Sequence, residues 1–218
     1  MLGVGHERRF EPALLEVKRL IEAGELGTIM HIEANFSHDK LAQVPADDWR
    51  SSTVDSPIPA ITGMGIHLTD AFIHMLGEVR EVYTQTARRV LETEGGDVAS
   101  VQLRFARGAT GFLNAILVTP LYLRFTVFGA KAWVEVRNDT HPDTPGPTTL
   151  TLCRAGGAPE SRRLAWTDTV RANLEAFADA VEGSAPYPFS DAEKIANIAL
   201  LEALCASAQT GRPVKPAP

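Results

Sequence analysis

Val98-Ala99-Ser100-Val101-Gln102-Leu103-Arg104-Phe105 is the stretch that settles the architecture. Its apolar residues fall at every second position. Ala99, Val101, Leu103 and Phe105 therefore share one face of an extended chain, and Ser100, Gln102 and Arg104 share the other. The period of two recurs on both sides. Val79–Val90 comes before it; Ala109–Val118, Leu121–Phe128 and Ala132–Val136 follow, with a weaker candidate over Thr148–Arg154. Arg107-Gly108 and Gly129-Ala130-Lys131 suit hairpin turns, and connections this short imply antiparallel neighbours. Thr28–Ser37 is one further β-rich run near the start.

Helical patterns flank the strands. Pro12 opens a helix with the stripe Leu14, Leu15, Val17, Lys18, Ile21, and Gly24 closes it. Met64–Leu76 is a second helix, ended by Gly77. Near the end of the chain, Val170, Leu174, Phe177, Ala178 and Val181 form one stripe. Ser190 with Glu193 makes a capping box ahead of Ile195, Ile198, Leu201, Leu204 and Cys205, and Gly211 and Pro213 stop that helix. The sum is an α+β fold: a mostly antiparallel sheet with helices packed on one face, as a single domain over 1–218.

The 218 residues are 44% apolar and 22% charged, the balance of an ordinary globular chain able to bury a core. A net charge of −6 argues against nucleic acid and anionic membrane as partners. No apolar run approaches the roughly 20 residues that a membrane span needs. Cys153 and Cys205 lie far apart with no metal spacing, which fits a reducing cytoplasm.

The chemistry concentrates in Gly63-Met64-Gly65-Ile66-His67-Leu68-Thr69-Asp70. Two glycines suit a sharp entry into a helix, and His67 and Asp70 then share one of its faces. An imidazole titrates near neutrality and can move the proton of a reacting hydroxyl. Read blandly, it is a core histidine, and Asp70 is a structural carboxylate. His67, Asp70 and His74 lack a clear third ligand and second shell, so the metal expectation is none. The long polar segment Asp39–Pro59 carries Trp49 and Arg50, an aromatic face and a fork of donors suited to walling a sugar pocket; alternatively Trp49 pins the loop to the core. No glycine-rich phosphate loop is present, and Gly3-Val4-Gly5 has no third glycine at the required offset.

Several segments, in order, resemble the C-terminal domain of the Gfo/Idh/MocA oxidoreductases, the family of glucose–fructose oxidoreductase and inositol dehydrogenase. They are Val4-Gly5-His6-Glu7-Arg8-Arg9-Phe10-Glu11-Pro12, Gly24-Glu25-Leu26-Gly27, Gly65-Ile66-His67-Leu68-Thr69-Asp70, Phe128-Gly129-Ala130-Lys131-Ala132, and Leu201-Glu202-Ala203 through Gly211-Arg212-Pro213-Val214. The resemblance implies the substrate-binding part of an oxidoreductase using NAD or NADP, acting on a hydroxyl of a sugar, polyol or related compound. The dinucleotide would be held mainly by a Rossmann domain that this chain lacks. It implies that His67 contacts the reacting hydroxyl, that Asp70, Arg9, Trp49 and Arg50 meet substrate, and that Arg8 reaches the nicotinamide. For Arg8 and Arg9, a salt bridge across the domain junction is the equal alternative. It implies a homo-oligomer through the sheet. Many members carry aspartate four residues before the histidine, where this chain has Gly63. The alternative expectation is a non-catalytic ligand-binding or assembly module that has lost its nucleotide-binding half.

Overall fold

The computed structural model describes residues 1–45, 47–92 and 94–217. Its centre is an eight-stranded sheet in the order β2-β3-β4-β1-β5-β6-β7-β8. The strands are β1 (Ile29–Ser37), β2 (Val79–Ala87), β3 (Val98–Phe105), β4 (Thr110–Ile116), β5 (Tyr122–Gly129), β6 (Ala132–Asn138), β7 (Thr148–Arg154) and β8 (Glu160–Leu164). Four α-helices accompany them: α1 (Pro12–Glu22), α2 (Ile66–Leu76), α3 (Thr169–Glu182) and α4 (Asp191–Thr210). The fold is α+β, as the alternation of the strands implies. On β3, Ala99, Val101, Leu103 and Phe105 are all buried in a single core that also takes Leu14, Val17, Leu68, Phe72, Leu200 and Leu204 from α1, α2 and α4. The opposite sheet face is polar, with Arg124 bridging Glu33 at 2.9 Å and Glu135 at 3.7 Å.

Three details differ from the pattern read along the chain. β4 and β5, though consecutive, are not neighbours: β1 lies between them, parallel to β4 and antiparallel to β5. The connecting residues 117–121 are enough to cross one intervening strand, a step of roughly 10 Å between outer partners. β8 (Glu-Ser-Arg-Arg-Leu) has no apolar alternation, because it is an edge strand whose side chains face solvent. The apolar stripe of α3 points outward: Val170, Leu174 and Val181 are 52–64% exposed, while the inner face is Thr169, Asn173 and Ala180. Ile195 and Ile198 of α4 are exposed beside it in sequence, and that helix buries Asn197, Leu200, Ala203, Leu204 and Ser207 instead.

The capping box of α4 is formed in both directions, Glu193 N–H to Ser190 Oγ and Ser190 N–H to Glu193 Oε2. The β5–β6 turn explains its glycine by close approach. A Cβ on Gly129 would collide with the carbonyl oxygen of Leu26, which Lys131 N–H approaches to 2.9 Å. That contact ties the end of the first helical segment to the sheet.

Candidate active site

His67 enters the site from a turn that differs from the expected one. Gly63 and Gly65 do not make a sharp entry. They lie inside a wide π-type turn, Ile61–Gly65, that runs directly into α2, and Gly65 has ordinary right-handed helical angles (φ −61°, ψ −29°). What glycine supplies here is room. A Cβ on Gly65 would meet Ile61 Cδ1 at 2.8 Å, and one on Gly63 would meet Leu41 Cδ1 at 2.7 Å. π-turns recur at functional sites because they displace the following side chains from regular helical spacing.

The His67 ring is half-buried and stands edge-on to His6, with centroids 5.4 Å apart and planes at 83°. Its Nδ1 is buried without a hydrogen-bond partner, and so is Nδ1 of His6. Desolvation, reinforced by the charges of His6, Arg8 and His141, pushes the His67 pKa down to about 3. The imidazole is therefore neutral at pH 7 and a weak base. An orphaned N–H is rarer in folded proteins than an under-satisfied acceptor. The His67 proton thus belongs on Nε2, where the ring acts as a hydrogen-bond donor.

Arg8 stands beside this pair and is only 2% exposed. Its Nε and Nη2 donate to the two carboxylate oxygens of Glu11 at 2.5 and 3.3 Å, and its Nη1 is buried without a partner. The guanidinium lies 5.4 Å from the centre of the Phe36 ring. Phe36 also touches His38 and His141, whose own rings are 5.0 Å apart. Burial, aided by the charges of His141 and Lys40, lowers the His38 pKa to about 4. Of these rings only His67 stands out in the sequence; His6 lies unmarked within a family motif, and His38 and His141 carry no motif of their own. The structure gathers four histidines around Arg8 and Phe36.

Asp70 and Arg9 are brought together, but against each other. Arg9 Nε and Nη2 donate to the two oxygens of Asp70 at 2.8 and 2.6 Å, and both side chains are 3% exposed. Arg9 Nη1 donates further to the Pro188 carbonyl and to Glu193 Oε1, and the guanidinium stacks 4.2 Å from the centre of the Phe189 ring. This is an ion-pair network within the domain, between the first segment, α2 and α4, and not one across a domain junction. Trp49 and Arg50 sit in a 3-10 turn of the long loop. Trp49 is 47% exposed, and Arg50 lies over its ring at 4.5 Å while bonding Asp48. Arg50 lines a cavity of about 670 Å³ with Leu41, Ser52, Leu117 and Gly63. The cavity therefore reaches the turn that precedes His67. Among the described residues no group of three His, Cys, Asp or Glu side chains is arranged to hold a metal ion.

Among the described residues no α-helix starts in the form on which dinucleotide phosphates rest. Such sites use uncapped helix N-termini behind a glycine turn. Here α3 is capped by Asp168 and α4 by the Ser190–Glu193 box. α1 opens with Glu11 and Pro12, and α2 continues the π-turn.

Residues 14–135 match the GFO/IDH/MocA C-terminal domain family. The chain belongs to that family. Among its relatives, inositol 2-dehydrogenase 2 of Saccharopolyspora erythraea is 29% identical over 100% of this chain and 62% of its own length. An oxidoreductase of Rhizobium meliloti, ORF334, is 25% identical over 93% of this chain and 61% of its own. This GFO/IDH/MocA chain thus spans about six-tenths of the length of the curated relatives it matches. The fold is shared with aldose-aldose oxidoreductase from Caulobacter crescentus (TM-score 0.83, 21% identity, 98% of this chain and 63% of that one). It is shared too with levoglucosan dehydrogenase solved with NADH and levoglucosan (TM-score 0.79, 19% identity, 99% and 66%). No helix among the described residues is long and apolar enough to cross a membrane.

Proposed function

We propose that this chain is the substrate-binding part of an NAD(P)-dependent oxidoreductase acting on a hydroxyl of a sugar, polyol or related compound. One observation carries the reading: a neutral, half-buried imidazole without a side-chain partner stands at the head of α2 in a domain of this family. His67 Nε2–H donates to the hydroxyl oxygen. Arg8, its charge balanced by Glu11, offers Nη1 to a second oxygen of the same ligand. Asp70 and Arg9 act through each other, holding α2 in place. Trp49 and Arg50 wall the approach from the long loop.

The dinucleotide is then held by residues outside these 218, on a domain that docks against the exposed apolar faces of α3 and α4. Val170 and Leu174 on α3 and Ile195 and Ile198 on α4 are left uncovered, and exposed apolar residues of this size suit an interaction site. The polar sheet face supports self-association, and two unpaired cysteines fit the cytoplasm.

The second reading, a ligand-binding module without redox chemistry, is favoured by Gly63 and the weak basicity of His67. Both readings predict binding near His67, and the first adds hydride transfer. A titration of the ¹⁵N-labelled chain with myo-inositol, levoglucosan and glucose tests the shared part. Amide shifts are expected around His67 and Arg8 and are lost in His67→Ala. Shifts confined to other surfaces, or none with any polyol, would overturn the site. The 218-residue chain alone is expected not to reduce NAD with any of these compounds, and robust reduction would refute the placement of the dinucleotide site.

A further inference from the structure

Asn197 is 1% exposed, sits in the buried face of α4, and has its amide fully assigned by its neighbours. Its Oδ1 accepts from Thr69 Oγ1 at 2.6 Å, the shorter of that hydroxyl's two contacts, the other being to the Ile66 carbonyl at 3.0 Å. Its Nδ2 faces the Ile66 carbonyl at 3.3 Å and His6 Nε2 at 3.2 Å. Reversing the amide would set two oxygens, Asn197 Oδ1 and Ile66 O, against each other, so Nδ2 is the donor to both. His6 Nε2 is therefore an acceptor. Burial keeps His6 neutral at pH 7, and a neutral imidazole with a bare Nε2 carries its proton on Nδ1. That Nδ1–H is buried and unpartnered, and the ring it abuts, His67, has a buried and unpartnered Nδ1 of its own. The two rings meet edge-on without a direct bond, one a buried donor and the other a buried acceptor, each short of one partner, and such a pair is complementary.

We propose that His6 is a positioning residue: Asn197 holds it in the Nδ1–H tautomer, and His6 Nδ1–H engages His67 Nδ1, directly or through one water, which fixes the His67 proton on Nε2. Asn197 reaches the same helix twice more, at Ile66 and Thr69 on either side of His67. The backbone and the tautomer of the working imidazole are thus set from a single side chain on α4. A carboxylate at position 63 would draw the His67 proton to Nδ1; His6 instead fixes it on Nε2. The tautomer assignment stands on its own geometry; the use of Nε2–H on a hydroxyl rests on the proposed function.

Long-range ¹H–¹⁵N correlation spectra of the uniformly ¹⁵N-labelled chain at pH 7 test it, with the two rings assigned through His6→Gln and His67→Gln. His6 is expected to show a protonated Nδ1 and a bare Nε2, and His67 the reverse. His6→Phe is expected to collapse the His67 pattern into an exchange average of both tautomers, and Asn197→Ala to do the same to His6. Either ring in the opposite tautomer in the wild-type chain, where no variant need fold, would overturn the proposal. So would a His67 pattern unchanged in His6→Phe. If the tautomers are as expected while no polyol shifts any resonance, the positioning stands and the hydroxyl reading fails.

Discussion

Asp70 and His67 lie one turn apart on α2, yet their surroundings are opposite. Asp70 has both oxygens bonded to Arg9, which is bonded in turn to Pro188 and Glu193 and stacked on Phe189. His67 has a buried nitrogen with no partner, beside two more such atoms on His6 and Arg8. A buried polar group in a folded protein is normally satisfied, and a cluster of exceptions calls for a ligand, a water or a relay. In the proposed function the satisfied turn is the frame and the unsatisfied turn the working part. The sequence distance between them is too short for any pattern of apolar residues to tell them apart.

The largest expected effect is on the frame. Asp70→Ala leaves the Arg9 guanidinium buried without its bidentate partner, and breaking such a pair from one side costs about 3–5 kcal/mol. Urea unfolding is expected to show a lower midpoint with an unchanged slope. The double variant Arg9→Met/Asp70→Leu is expected to be more stable than Asp70→Ala alone, because it removes both charges from the interior. His67→Gln, by contrast, is expected to cost less than about 1 kcal/mol, the scale of one ordinary hydrogen bond, because the ring makes no side-chain bond to lose. Equal losses from Asp70→Ala and His67→Gln would erase the division between frame and working part.

Acidity probes the other side of the comparison. His67 and His38, with pKa values near 3 and 4 when folded, sit near 6.5 in the unfolded chain. Unfolding therefore takes up protons between those limits. Stability is present in full above about pH 6.5 and is lost as pH falls, by up to about 1.4 kcal/mol per pH unit for each ring. Glu193 moves the same way but lower: its lowered carboxyl, held by Ser190 and by its bonds to His74 and Arg9, loses its contribution only below the ordinary range of a glutamate. Between pH 5 and 6.5 the slope therefore comes from the lowered histidines, His6, His74 and His141 included, opposed by Glu7, whose carboxyl is raised by burial. Chemical denaturation across that window is expected to give a slope smaller by up to one proton in His67→Gln. An identical slope in both proteins would mean that the His67 ring is not desolvated.

Much of the frame was legible in the sequence and little of the working cluster was. The strands announce themselves because one face of the sheet is a continuous core: β3 and β7 have the predicted bounds. β8 was illegible because an edge strand with solvent on its side chains needs no apolar period. The stripe on α3 is legible as apolar, but its outward direction is not. The helix docks through Asn173, whose Nδ2 donates to the Val4 carbonyl, and through small residues, leaving the stripe uncovered. At the candidate site, His67 is singled out by its glycine-flanked motif, though the turn is of another kind than expected. His6 was passed over because Arg8 and Arg9 beside it drew the charge argument. Asn197 carried a signal that went unused: one amide on the helix face that continues through Leu200, Leu201 and Leu204 is costly unless it bonds something specific.

The smallest structural change tests the comparison most closely. Gly63 stands one turn before His67, where a carboxylate would face the imidazole. The new Cβ of Gly63→Asp would meet Leu41 Cδ1, the flexible end of a side chain that can turn away. The overpacking cost, at the low end of about 1–3 kcal/mol, is partly offset by the gain of about 0.5–1 kcal/mol from replacing a helical glycine. Net stability is therefore expected to change by less than about 2 kcal/mol, well below the Asp70→Ala loss. The electrostatic effect is larger than the structural one. A carboxylate beside the ring favours the imidazolium, so the His67 pKa is expected to rise from about 3 toward the ordinary imidazole range. It would compete with His6 for the orientation of the ring by drawing the His67 proton to Nδ1. An NMR titration of Gly63→Asp reads both changes at once. If the His67 pKa and tautomer stay where they are, position 63 does not address the ring, and its partial desolvation is owed to the histidine cluster alone.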